Sequence, residues 1–405
     1  MTDSTAGTAP AGAFTAGAGP ADSSTAGTAP ADASTAGVPA ARRDPIDWAV
    51  AARTAGTLVP PGPRLSARQA KAEAEGLRAA AEESVGHVHR LTGLEAAKDL
   101  RESPVLILDR PTWARANTQS FKALLAPTFE HLAATRPEEY ATATTAVATA
   151  ATGAELGAIL AFLGSKVLGQ YDPFAALAGT ARTGGRLMLV APNVAAVRAE
   201  INVVPEDFRL WVCLHEQTHR VQFAAAPWLA AHLQEKTTEL TSALFDASDS
   251  LPDRLRAALN SALPGRRDSG EGTPGGQAGL LGALQDEDDR ARLSHLTAVM
   301  SLLEGHANVV MDAVDAEVVE TVKTIRRRFT ARGQRRSPLE RFVRRLIGMD
   351  AKMRQYADGQ KFVDAAVAEL GMDGFNVVWD DPALLPTEAE LHAPQRWIAR
   401  MRREA

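Results

Sequence analysis

Only one cysteine, Cys213, occurs in 405 residues, so no internal disulfide can form and nothing points to an oxidising compartment. Aromatic residues are scarce at 5% within a hydrophobic fraction of 45%. The apolar material is mainly Ala, Leu and Val, which favours packed helices over sheet. The chain opens without the basic start and apolar core of a secretory signal. No run approaches ~18 uninterrupted apolar residues, so no membrane span is expected. The default compartment is the cytoplasm. Charge of one sign is not in large excess either: a net charge of -5 argues against a dedicated nucleic-acid binder. What remains has the balance of a globular protein and the length for one large domain or two ordinary ones.

Residues 1–43 are expected to be a disordered, low-complexity tail. The unit Ser4-Thr5-Ala6-Gly7-Thr8-Ala9-Pro10 recurs from Ser24 to Pro30 and, more weakly, from Ser34 to Pro39. Side chains this small cannot bury enough apolar surface to offset the entropy of ordering. Residues 44–405 are expected to form one domain, mainly helical, with a small strand element. Ser66 reads as the cap of a helix reaching about Arg90. Helical patterning continues from Pro111 to Leu132, with a break or kink at Pro127, and from Glu155 to Leu168. Arg186–Ala191, closed by Pro192, is the best strand candidate. Residues 263–279, with Pro264, Gly265, Gly270, Gly272, Pro274, Gly275 and Gly276, read as a flexible loop. Helix is expected again from Leu293 to about Phe329 and over 338–370, followed by short helices and turns around Pro382, Pro386 and Pro394.

The chemistry lies in His215-Glu216-Gln217-Thr218-His219. Val204-Pro205-Glu206-Asp207 opens a helix, with Pro at its first position and two acids at the positive end of its dipole. The helix can run to about Ala226, before Pro227, so the motif sits mid-helix. Residues four apart share a face, and the imidazoles of His215 and His219 can converge on one tetrahedral zinc ion. Glu216 lies about 100° around the helix. It can therefore miss the metal and act as general base on the water bound there.

Two neutral imidazoles do not hold zinc tightly enough, so a third protein ligand is required. One known extension of this motif would need Gly at position 222 and His at 225; Gln222 and Ala225 stand there instead. The best candidate is Glu304 in Leu302-Leu303-Glu304-Gly305-His306-Ala307-Asn308, an acid in an apolar helix that is costly to bury unless it meets a cation. Asn308 and Asp312 continue its face and suit a supporting role toward the imidazoles. His306 is the rival, but it points about 200° away from Glu304 on a helix, so both cannot bind one ion. Cys213 reads as a small core residue, and His87 and His89 as surface residues. The nine arginines between Arg326 and Arg345, with one acid, Glu340, read as a solvated face rather than a nucleic-acid contact.

Several stretches resemble a family of bacterial zincin-like hydrolases or metallopeptidases, often labelled as associated with biosynthesis of a deazaflavin coenzyme. They are Leu108-Asp109-Arg110-Pro111-Thr112-Trp113-Ala114-Arg115-Ala116-Asn117, Leu168–Phe174, Leu189–Asn193, the motif around His215, Glu304–Ala307, Arg354-Gln355-Tyr356 and Gly371–Asn376. The resemblance runs from about residue 44 to the C-terminus. It implies a mainly helical zincin-like domain (α+β) with a small strand element beside the metal helix. It also implies zinc on His215, His219 and Glu304, with Glu216 as base. It brings no substrate; the expected one is a peptide or protein. The alternative is a non-catalytic, zinc-containing binding or scaffold protein, which an intact Glu216 disfavours.

Overall fold

Asp47 accepts a hydrogen bond from the Val50 amide and so caps the first helix, α1 (Trp48–Leu58). Ser66 and Gln69 cap each other's backbone at the start of α2 (Ala67–Thr92), and Gly93, in the left-handed region, ends it. The computed structural model describes residues 43–100, 103–181, 184–246, 287–334 and 349–404. The expected tail, apart from Arg43, and the expected loop at 263–279 lie outside these residues. The remaining helices are α3 (Arg110–Thr135), α4 (Pro137–Ala143), α5 (Ala146–Gly164), α6 (Ala191–Ile201), α7 (Pro205–Ala225), α8 (Leu229–Asp246), α9 (Glu287–Ala313), α10 (Val322–Gln334), α11 (Met349–Asn376), α12 (Glu388–His392) and α13 (Pro394–Glu404).

Three short strands make one mixed sheet in the order β1 (Val105–Leu108), β3 (Arg186–Val190), β2 (Gly169–Asp172). β3 is central and wholly buried, parallel to β1 and antiparallel to β2. Its alternating side chains separate two cores. Leu189 joins the core containing Phe208, Leu214, Leu302 and Phe375, while Met188 and Val190 join the one containing Trp113, Phe129 and Leu160. β2 is a sheet edge and packs against α7.

The expected strand and the helix bearing the motif are both present. Pro127, however, does not break α3. Proline removes the amide that would bond to Ala123, and the carbonyl of Ala123 instead accepts from Gln234 Nε2 on α8 at 3.1 Å. The stretch expected to be helical from Leu293 to about Phe329 is two helices, α9 and α10. Residues 314–321 turn between them, with Asp315 accepting from the amides of Glu317 and Val318. Part of the 108–117 and 189–193 stretches ties the sheet to its helices. Asp109 caps α3; Arg110 donates to Asn193 at 2.6 Å, and Asn193 donates to the carbonyls of Gly164 and Val167. By length and composition one helix among the described residues, α5, could cross a membrane, which qualifies the expectation from uninterrupted runs. In this fold its Thr152, Gly153, Leu156, Gly157 and Leu160 are buried, and it packs on α1 and α3.

Candidate metal centre

Helix α7 is the middle of the larger core: α2, α9 and the sheet all pack on it. Asp207 in its first turn accepts from the amide and hydroxyl of Thr321 at 2.7 and 2.6 Å, fixing the helix start against the turn after α9. Cys213 faces α2, fully buried, its thiol 3.8 Å from the carbonyl of Leu77. Burial pushes that thiol far up, as suits a core residue with no nucleophilic role. The opposite stripe carries Trp211, His215, His219 and Gln222.

On that stripe the Nε2 atoms of His215 and His219 are 3.3 Å apart. Glu304 on α9 approaches them with Oε2 3.8 Å from His215 and Oε1 3.7 Å from His219. Among the described residues this is the one group of three His, Cys, Asp or Glu donors that could hold a metal ion, its ligand atoms all within 4.8 Å. Two ligands ~2.0–2.1 Å from a tetrahedral zinc lie ~3.3 Å from each other, so the imidazoles already stand at that spacing. Burial, then His219, pushes His215 down to about 4, against the opposing pull of Glu304. At neutral pH its ring is therefore in the uncharged, ligating form.

Glu216 turns off this stripe toward the first residue of β2. It is buried, and a Cβ placed on Gly169 would lie 2.5 Å from its Cγ. The absent side chain of Gly169 is what lets the strand and the carboxyl share this space. Burial, then the Glu304 charge, pushes the Glu216 carboxyl up to about 8, a value suited to moving protons near neutrality. His215 and Glu216 also line one cleft with Trp211, Asp312, Arg326 and Phe329.

The surroundings of the imidazoles differ from expectation. Asp312 does not support them: it accepts from Gln360 at 2.7 Å and lies 3.8 Å from Arg326. Asn308 lines the cleft. Instead Gln222, fully buried, takes the supporting position. Its Oε1 lies 2.9 Å from His219 Nδ1, and its Nε2 donates to the Leu303 carbonyl at 2.9 Å and meets His306 Nδ1 at 3.0 Å. His219 thus donates from Nδ1 and keeps its Nε2 lone pair for the cluster. Nothing in a one-dimensional pattern marks Gln222 for this, except that it follows His219 by three residues and shares its face.

His306, the rival ligand, is fully buried behind Gln222, in a three-ring cluster with Phe375 and Trp379 at centroid distances of 5.3 and 5.4 Å. Among the described residues its Nε2 has no hydrogen-bond partner, and burial, then His219, pushes the ring down to about 3. The hydroxyl of Tyr171 accepts from the Gly185 amide at 3.0 Å. Three of the four described arginines of the basic run are engaged within the fold, while Arg327 is exposed. Arg326 donates to the carbonyls of Met311 and Val314, Arg328 to those of Ile201 and Asn202, and Arg332 to Glu200.

Residues 46–398 match the family described as zincin-like metallopeptidase. No curated protein matches the chain. A crystal structure from Chloroflexus aurantiacus, described as a candidate hydrolase with a novel fold, is 29% identical and superposes with a TM-score of 0.59. The similarity covers 89% of this chain and all of that one. With its mainly helical fold, its small mixed sheet and its His-His-Glu cluster, the chain belongs to the zincin-like metallopeptidase family.

Proposed function

We propose that this protein is a zinc-dependent hydrolase acting on peptide bonds, with zinc held by His215, His219 and Glu304, and Glu216 as general base. The observation that carries the reading is the convergence of the three donor atoms beside a separate, buried carboxyl whose pKa is raised. A purely structural zinc site has no use for that carboxyl. The donor set, two imidazoles and one carboxylate, is that of catalytic zinc sites with an open position.

Zinc, when bound, supplies a Lewis acid that polarises the scissile carbonyl and makes water more acidic. The rest of the work falls to the protein. Gln222 holds His219 in its ligating tautomer. Glu216 takes a proton from the attacking water as the C–O bond forms, then delivers it to the amine nitrogen as the C–N bond breaks. The edge strand β2 starts beside Glu216, and an extended peptide can add to a sheet edge by backbone pairing. That feature favours a peptide over a small amide.

The test is Glu216→Gln against wild type on a mixed peptide library, read by mass spectrometry alongside zinc content. The expected result is full zinc in both proteins and cleavage in the wild type alone. Equal cleavage by both would remove Glu216 from the chemistry. Zinc-loaded wild type that cleaves nothing would favour a binding or scaffold role.

A further inference from the structure

The cleft that reaches His215 and Glu216 has a volume of about 490 Å³, within the range of small-ligand sites. Its walls are of two kinds. Leu168, Trp211, Val212, Met311 and Phe329 form an apolar side. Trp211 stands one turn before His215 on the same face of α7, and its ring meets Phe329 at a centroid distance of 5.0 Å. Phe208, fully buried, stacks on Trp211 at 5.9 Å. The aromatic wall is thus backed by the core rather than free to collapse.

The polar side carries charges that already answer one another. Arg326 caps the end of α9 through the carbonyls of Met311 and Val314. Its guanidinium lies 3.8 Å from Asp312, which also accepts from Gln360. Neither charge stands alone to select a substrate ion of opposite sign. Discrimination must then come from apolar bulk.

We infer that this cleft is a side-chain pocket selecting substrates with an aromatic or long aliphatic residue beside the scissile bond. The inference rests on the hydrolase reading above. It predicts a preference for apolar size and indifference to the sign of charge.

Amino-acid hydroxamates test this directly, because they need only bind the zinc-loaded protein and need not be turned over. Phenylalanine and leucine hydroxamates should bind at least about tenfold tighter than glycine hydroxamate by calorimetry, the effect of burying one such side chain. Glutamate and lysine hydroxamates should both stay close to glycine. Trp211→Ala should reduce the phenylalanine advantage to less than about threefold, and Phe329→Ala serves if that variant does not fold. Equal affinities across the series in the wild type would overturn the pocket and leave the hydrolase reading standing, as would full retention of the preference in both variants. If no hydroxamate binds to stoichiometrically loaded protein, the open zinc site fails and the pocket falls with it.

Discussion

Replacing Gln222 with Leu removes a buried amide while roughly keeping its volume. The amide serves His219 Nδ1, His306 Nδ1 and the Leu303 carbonyl. The carbonyl lies within α9 and keeps its helical partner, so two ring nitrogens lose their partners outright. At ~1–3 kcal/mol for each stranded buried group, the cost in stability is roughly 2–6 kcal/mol. The larger consequence is for the metal. With no acceptor at Nδ1, His219 is free to present the wrong tautomer, and losing such a support costs about 10–100-fold in metal affinity. Gln222→Glu separates the two effects. Its carboxylate still accepts from His219 but cannot donate to Leu303, so it should lose stability and keep zinc affinity within a few-fold. Zinc titration against a chromophoric chelator, paired with thermal melts, reads both quantities. Wild-type zinc affinity in a folded Gln222→Leu protein would refute the role assigned to this side chain.

Glu304→Ala should weaken zinc binding by on the order of 10–100-fold or more, and His306→Ala by clearly less; the reverse ranking in a metal titration would make His306 the third ligand. Gly169→Ala puts a methyl 2.5 Å from Glu216 Cγ, too close for both to keep their places. Zinc content should hold while peptide turnover falls by about 10²-fold, the scale of a small misplacement of a reacting group. In the zinc-free protein Glu216 titrates near 8, against an ordinary 4.5. Its folded form then holds a proton that the unfolded chain releases. The stability this contributes is fully present below about pH 4.5 and is lost as pH rises through 8. Between pH 5 and 8 the melting temperature of zinc-free wild type should fall relative to that of Glu216→Gln; parallel curves would contradict the raised pKa.

The helix carrying His215 and His219 was legible in the sequence because its signals are local: a proline start, two acids in the first turn, and an i, i+4 pair of histidines without Gly or Pro between them. That Glu304 would meet the two histidines was legible for a different reason: an acid in an apolar helix needs a partner, and the 200° rotation turns His306 to the other side. The supports were not legible. Gln222 is one of many polar residues until α9 lies across α7, and Asp312 continues the face of Glu304 yet is drawn to Gln360 and Arg326 on other helices. Pro127 shows the same limit: the helix runs through it, and the carbonyl it frees, on Ala123, meets Gln234, 107 positions from Pro127 in sequence, at 3.1 Å. Contacts between distant elements decided each of these, and such contacts leave no periodic trace.

The central claim is that His215, His219 and Glu304 bind one zinc ion, and X-ray absorption at the zinc edge of the purified, full-length protein tests it most directly. The account predicts one zinc per chain, with two imidazole nitrogens at about 2.0–2.1 Å and a carboxylate oxygen at about 2.0–2.2 Å. In Glu304→Ala the imidazole signal should persist at much lower occupancy. Wild-type protein that retains no zinc, or a first shell containing three imidazoles or sulfur at about 2.3 Å, would contradict it.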